Sequence, residues 1–244
     1  MNIIKKLPLF LSFLLLFSCD EFPLSTVSER DMADGLKSAL EVGSNYALKT
    51  LGKEDGFLLD QAVKILLPDD VANIVTQISK VPGFGTVIKG IEEQLILTIN
   101  RAAEASIEGV VPIVINAITD MTIQDAQSIL FSSNNIAATN YLRDKTYDPL
   151  CGVCRSVIED ALTKKIVLNT SAQDVWKGFT DCYNTVAAIP LITLDPIETN
   201  LALYTTQKAL DGVFLKVGNE EVKIRTDVTA RVNDLLKRVF GLLD

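Results

Sequence analysis

Histidine is absent from this chain of 244 residues. Without it, neither a Ser-His-Asp nor a Cys-His catalytic arrangement can form, and imidazole cannot bind zinc or haem. The usual general base near neutral pH is missing as well. Carboxylates, lysine, tyrosine and cysteine remain, so the composition disfavours an enzyme without excluding one. We predict no bound cofactor and no metal site.

Positive charge is scarce too. The chain has 23 Lys and Arg against 31 Asp and Glu, a net charge of −8. Residues 1–18 hold two of the lysines and no acidic residue, so the rest of the chain carries 21 basic against 31 acidic residues, or −10. This charge does not favour nucleic acid or the surface of anionic lipid, both of which need a basic face.

The first 19 residues have the pattern of a secretory signal peptide. Lys5 and Lys6 form a positive region, Leu7 to Phe17 is apolar, and the small Ser18 precedes Cys19. An apolar run of this length is too short for a permanent membrane span. The ending Leu16-Phe17-Ser18-Cys19 resembles a bacterial lipobox, although Phe17 is bulkier than usual. The resemblance implies cleavage after Ser18 and lipid attachment at Cys19.

This interpretation sets the predicted domains and localisation. Residues 1–18 are the cleaved signal, 19–27 a lipidated tether and 28–244 a helical domain. A signal anchor, or a signal with a chance cysteine, would look similar. We expect the lipid to hold the protein at a membrane of the bacterial cell envelope. Asp20 and Glu21 do not decide which membrane or which leaflet.

The rest of the chain shows helical periodicity and little alternation of period two. It predicts an all-α fold, a single bundle with at most a short extended segment near 62–67. Ser28, Thr122 and Ser171 are expected N-caps. We expect a break near Gly109, a kink at Asp148-Pro149, and a strong helix start at 195–198. The last helix should begin at Asp227 and bury four apolar side chains: Val232, Leu235, Val239 and Leu242.

A series of short stretches, in this order, resembles a family known only as domain of unknown function 4197. The stretches are Asp55–Leu58, Ala62–Pro68, Asn100–Glu104, Met121–Ala126 with Ile129-Leu130, Ala138–Thr146, Lys208–Phe214, Glu220-Glu221, Lys223–Arg225 and Asp234–Gly241. They cover about 30–241. The resemblance implies a secreted or lipid-anchored helical protein of Gram-negative bacteria, and it brings no mechanism.

A candidate polar cluster follows from Glu221, which lies on an apolar stripe between Val217 and Ile224. A carboxylate facing the core must be paired or protonated. Its candidate partners are Arg101, Arg143 and Lys145. We hypothesise that several polar residues of the matching stretches meet there: Asn100, Arg101, Glu104, Asp125, Tyr141, Arg143, Lys145, Glu221 and Arg225. A structural ion-pair network is the favoured interpretation. A ligand pocket or a catalytic site remains open.

The three cysteines beyond Cys19 allow several interpretations. In an oxidising envelope, a disulfide from Cys182 to Cys151 or Cys154 is the simplest. The spacing of Cys151 and Cys154 also fits a redox motif, although the βαβ context of such motifs is missing. Buried free thiols are a further possibility, and a zinc site would need a fourth ligand such as Asp181.

The sequence therefore predicts a non-enzymatic, lipid-anchored envelope protein that binds an unknown protein partner or small ligand. Two other functions stay open. One is an envelope enzyme that uses the Glu221, Tyr141 and Lys145 neighbourhood, and the other is a purely structural component.

Overall fold

The computed structural model describes residues 27–165, 167 and 169–244. Within these ranges the chain forms eight α-helices and no β-strand, which confirms the predicted all-α bundle. The helices are α1 Glu29–Leu51, α2 Asp69–Ser79, α3 Gly85–Thr119, α4 Ile123–Leu130, α5 Ala137–Thr163, α6 Ala172–Ala187, α7 Leu201–Thr226 and α8 Asp234–Phe240. Short 3₁₀ turns lie at Val228–Ala230 and Gly241–Leu243. The proposed signal 1–18, Cys19 and the tether up to residue 26 lie outside the described residues.

One continuous hydrophobic core joins the helices, so residues 27–244 bury their apolar surface as a single unit. Helix α1 packs against α7, α3 and α8, and α5 packs between α3 and α7. The approach of α1 to α8 depends on Gly35, where a Cβ atom would come within 2.6 Å of Val239. The beginning of the described chain thus packs directly against its end.

Helix starts agree with the predicted caps. The hydroxyls of Ser28, Thr122 and Ser171 each accept a hydrogen bond from the backbone N–H three residues on. At Ser28 and Ser171 the aspartate at that position also accepts from the cap backbone, completing a capping box. The predicted extended segment 62–67 begins within a turn, because the N–H groups of Val63 and Lys64 donate to the Asp60 carbonyl, and residues 64–68 then lead without regular structure into α2.

Helix α3 runs through Gly109 without the predicted break. A Cβ atom at Gly109 would lie 3.0 Å from Val157, so this glycine brings α3 close to α5 and does not end a helix. Among the described helices, α3 is the one with the length and hydropathy of a membrane span, and 44% of its most apolar window is buried in the domain. Core helices commonly share these properties.

Two predicted helix starts are wrong. Residues 195–198 are not helical, and α7 begins only at Leu201 with Asn200 as its cap. The reason is tertiary, because Asp70 at the start of α2 accepts hydrogen bonds from the backbone N–H groups of Glu198 and Thr199. Near the C-terminus, Asp227 caps only a 3₁₀ turn.

The helix phase of α8 therefore differs from the prediction. Residues 231–233 are not helical and separate the preceding 3₁₀ turn from α8. The buried side chains of α8 are Leu236, Val239 and Phe240. Val232 and Leu242, expected in the core, are 67% and 45% exposed. Leu235 is half-buried.

Candidate functional site

Glu221 is buried, as its place on the α7 stripe predicts, with a relative exposure of 2%. Its carboxylate caps the N-terminus of α5: the N–H groups of Ala138 and Thr139 donate to it at 3.0 and 2.7 Å. The Thr139 hydroxyl donates at 2.8 Å. Arg225, one turn along α7, supplies the counter-charge through Nε at 2.8 Å. The expected partners Arg101, Arg143 and Lys145 do not bond to it.

Arg225 uses its remaining donors on another helix end. Its terminal nitrogens donate to the carbonyls of Leu130 and Ile129, the last residues of α4, at 2.8 and 3.0 Å. The Glu221–Arg225 pair therefore fastens the end of α4 and the start of α5 to α7. Both side chains have their polar atoms hydrogen-bonded and buried, so this pair has a structural role and offers no open group for chemistry.

Asn100, Arg101 and Glu104 form a second structural group on α3. The Asn100 side chain pairs with the backbone N–H and carbonyl of Ile65 at 2.9 and 2.7 Å, as a neighbouring strand would. Glu104 accepts the N–H groups of Phe57 and Leu58 at 3.0 and 3.2 Å.

The same group also fixes the start of the loop 53–67, which connects α1 to α2. Arg101 joins Glu104 to Asp55 with contacts of 2.7 and 2.6 Å. Together the three α3 residues hold the loop 53–67 against the helix.

Arg143 lies apart from Tyr141 and Lys145, because residues two apart on a helix point to different faces. It donates to Asp211 of α7 at 2.7 Å, and its guanidinium lies 5.0 Å from the centre of the Tyr147 ring. The predicted single cluster is therefore wrong. The nine residues separate into two structural groups, this α5–α7 contact, and the remaining trio of Asp125, Tyr141 and Lys145.

This trio is the part of the candidate site that faces a groove. The Tyr141 hydroxyl donates to Asp125 Oδ2 at 2.7 Å, and the Thr122 hydroxyl donates to the same oxygen at 2.5 Å. Lys145 Nζ lies 5.7 Å from the centre of the Tyr141 ring. Hydrogen bonds from Thr122 and Tyr141, and the charge of Lys145, lower the pKa of Asp125, which is therefore ionised at neutral pH.

Tyr141 is not suited to act as a base. Burial, together with its hydrogen bond to Asp125, raises the pKa of Tyr141 to about 12. The hydroxyl stays protonated at physiological pH and serves as a donor that orients the carboxylate. Neither Asp125 nor Tyr141 therefore has the pKa near neutrality that proton transfer would favour.

The groove beside the trio has a volume of about 490 Å³ and lies between the end of α3, the start of α4 and the middle of α5. Its wall is mostly apolar, and it also carries three charged side chains. The lining residues are Ile113, Ala117, Asp120, Met121, Thr122, Asp125, Tyr141, Leu142, Lys145, Thr146, Pro149 and Leu150. A mostly apolar concavity of this size with a few oriented polar groups is typical of small-molecule sites.

The two prolines inside helices help to shape this region. Pro149 lines the groove and lies within α5, where it has no N–H to donate to the carbonyl of Lys145. The predicted kink position is thus inside one helix that continues to Thr163. Pro112 is placed in the same way in α3, one residue before the groove residue Ile113.

A second cleft, of about 390 Å³, lies between the segment 62–67 and α7. Gly212 allows this approach, because a Cβ atom there would come within 2.9 Å of the Phe57 ring. Tyr204 closes one side through a hydrogen bond from its hydroxyl to the Leu66 carbonyl at 3.0 Å. None of the nine candidate residues lines this cleft.

The cysteines of the described chain are free thiols, so the predicted disulfide of Cys182 with Cys151 or Cys154 is not formed. Burial raises the pKa of Cys154 to about 11, which makes it an unreactive thiol. The described residues contain no group of three or more potential metal ligands.

Sequence reasoning missed two buried or paired residues. Arg231 donates to the carbonyls of Ile224 and Arg225 at the end of α7, and it contacts Asp244 at 2.6 Å. The signal in the sequence that could have indicated a buried arginine is the position of Arg231 between the apolar residues Ala230 and Val232. Asp211, the partner of Arg143, lies in the family-matching stretch Lys208–Phe214, but no periodicity in the sequence indicated its contact with Arg143.

These features define a helical domain in which buried polar side chains fasten helix ends and a long loop, and which has a mostly apolar groove with a polar side. The chain belongs to the family DUF4197, described as a protein of unknown function, whose family model matches residues 26–241. This confirms the resemblance seen in the sequence. Comparison with curated proteins and with solved structures gives no match.

Proposed function

We propose that this protein is a lipid-anchored binding module of the bacterial cell envelope, with the groove between α3, α4 and α5 as its ligand site. The observation that supports binding is the groove itself. It combines apolar side chains of α3, of α5 and of Met121 between α3 and α4 with an ionised carboxylate of α4 held in place by two hydroxyl donors. The other polar groups of the candidate cluster are occupied in holding helices and the loop together.

The anchor rests on the sequence of residues 1–19, whose charged, apolar and small-residue regions come in the order of a lipoprotein signal. Replacement of Cys19 by Ala tests it. We expect wild-type protein to incorporate radiolabelled palmitate and to sediment with membranes, and Cys19→Ala to incorporate none. Equal labelling of the two proteins would contradict the anchor and leave the groove proposal untouched.

Filling the groove tests the binding site. Ala117 lies on the groove wall, and Ala105 is exposed on the same helix outside it. We would isolate residues 20–244 from a bacterial periplasm as wild type, Ala117→Phe and Ala105→Phe, and compare their native mass spectra. A bound mass that wild type and Ala105→Phe retain and Ala117→Phe loses supports the proposal. A bound mass that all three retain would place the ligand elsewhere.

A further inference from the structure

The charges around the groove are unequal. Asp120 and Asp125 line it with the single cation Lys145. The groove also lies at the C-terminal end of α3, where the helix dipole is negative. The N-terminal end of α4 is nearby, but it is short and is already capped by Thr122 and Asp125. The electrostatic balance in the groove is therefore negative.

Acceptor atoms remain available there. Both hydroxyls that bond to Asp125 end on Oδ2, and Oδ1 receives no hydrogen bond from the described residues. The carbonyl of Lys145 has no i+4 donor within α5, because Pro149 lacks an N–H. A ligand that brings hydrogen-bond donors would satisfy these oxygens, whereas an anionic ligand would add further acceptors.

The Tyr141 ring adds a surface suited to a cation. Lys145 Nζ already lies 5.7 Å from its centre, within the range of a cation–π contact. The ring carries a hydroxyl that donates to a carboxylate, which leaves the ring electron-rich. A ligand ammonium placed between this ring and Asp125 Oδ1 would meet both attractions at once.

The rest of the groove is apolar. Ile113, Met121, Leu142 and Leu150 line it, and Met121, Leu142 and Leu150 are also buried core residues. A polar molecule without an apolar part would leave this wall uncovered. Shape and charge together select a ligand with a positive head and a hydrocarbon body.

We infer that the groove binds an amphipathic organic ammonium, its positive head between Asp125 and Tyr141 and its apolar part against α3 and α5. This inference rests on the proposed function, since it names the ligand class of the same site.

Three probes with the same chain and different heads test it: n-octylammonium, 1-octanol and octanoate. Each would be titrated into residues 20–244 and followed by amide chemical shifts. We expect n-octylammonium to shift residues of 113–125 and 141–150 and to bind about tenfold more tightly than octanoate, with 1-octanol between them. The preference should shrink at high salt, because exposed charges are screened.

Variants assign the preference to named charges. Asp125→Asn should weaken n-octylammonium binding by about tenfold and leave 1-octanol unchanged. Asp144→Asn is the matched control, an exposed acid on α5 that does not line the groove. Lys145→Gln removes the competing cation, so it should tighten n-octylammonium binding and weaken octanoate binding.

The outcomes separate the two proposals. The ammonium inference is overturned if octanoate binds as tightly as n-octylammonium, or if Lys145→Gln weakens the binding of n-octylammonium. In either case the proposal that the groove binds a ligand is retained. If none of the three probes shifts the groove residues, the proposed ligand site is overturned with it. Thermal unfolding of each variant shows whether a loss of binding comes from a loss of fold.

Discussion

Glu221 and Arg225 lie one turn apart on α7, with Oε1 and Nε 2.8 Å apart, and each caps a different helix. Glu221 accepts the first free N–H groups of α5, and Arg225 donates to the last carbonyls of α4. A single ion pair thus complements the positive end of one helix dipole and the negative end of another. The turn 131–136 between α4 and α5 is held at both ends by this pair.

Replacement of Glu221 by Gln should destabilise the domain strongly. The change leaves the buried Arg225 without its counter-charge and places an amide NH₂ near N–H donors, so we expect a loss of about 3–5 kcal/mol in the free energy of unfolding. Urea denaturation followed by circular dichroism measures it. Glu41→Gln, the same change at an exposed site on α1, is the control and should stay near wild type. An unchanged midpoint for Glu221→Gln would contradict the structural role of the pair.

Replacement of Asn100 by Ala should loosen the loop 53–67 in particular. The side chain satisfies both backbone groups of Ile65, and an unpaired buried group costs about 1–3 kcal/mol. Amide hydrogen exchange should therefore quicken at residues 57–67. Exchange in α5 should respond less, since the Asn100 side chain makes its hydrogen bonds to Ile65 and to Ile96 of its own helix and none to α5. Uniform acceleration over the whole chain would show instead that the loop unfolds only with the domain.

The thiols should react unequally. Cys154 is 1% exposed and has a pKa of about 11, whereas Cys151 and Cys182 are half-buried. Brief treatment of the native protein with iodoacetamide should label Cys154 last, and unfolding in urea should make the three alike. Mass spectrometry locates the labels. An intact mass two hydrogens below that of the reduced protein would contradict the free thiols and restore the disulfide.

Stability should fall in strongly alkaline solution partly through Tyr141. Its pKa is about 12 in the folded protein against 10.0 when unperturbed, so the folded state holds this proton more tightly than the unfolded state. Its contribution is complete below pH 10 and is lost as the pH rises towards 12. Tyr141→Phe should remove one tyrosinate transition near pH 12 from the absorbance at 295 nm. It should also make unfolding less dependent on pH in this window.

Tyr147 provides a comparison for this titration. Its pKa is also about 12, because of burial and the nearby charge of Asp211. Tyr147→Phe should remove a similar transition without affecting the groove. If Tyr141→Phe instead removes a transition near pH 10, the pKa of Tyr141 is not raised and the bond between its hydroxyl and Asp125 is not formed in solution.

Local sequence signals predicted what local physics controls. Ser28 and Ser171 were recognisable as caps because a capping box needs only residues three apart. The apolar stripe of α7 predicted that Glu221 is buried, because burial follows from helix phase. By contrast, Arg225 was placed in the predicted cluster, but Arg101, Arg143 and Lys145 were named as candidate partners of Glu221 in place of this arginine on the same helix.

Tertiary contacts decided what the sequence could not. Residues 195–198 have the composition of a helix start, yet Asp70 accepts hydrogen bonds from the N–H groups of Glu198 and Thr199 and holds this segment outside the helix. Gly109 was read as a break because close packing against Val157 leaves no local trace. The nine polar residues were assigned to one cluster because sequence does not show which faces of α3, α5 and α7 meet.

The contact of α1 with α7 and α8 also sets an order of events during folding. Helix α1 is synthesised before the other described helices, yet it packs against α7 and α8, which are synthesised last. The close contact of Gly35 with Val239 of α8 is one example. Helices α3 and α4 can cover part of the apolar face of α1 earlier, but the part that packs against α7 and α8 is covered only once nearly the whole domain has been synthesised. Such a topology postpones completion of the core to the end of the chain, and a stalled or truncated chain would expose α1 to aggregation.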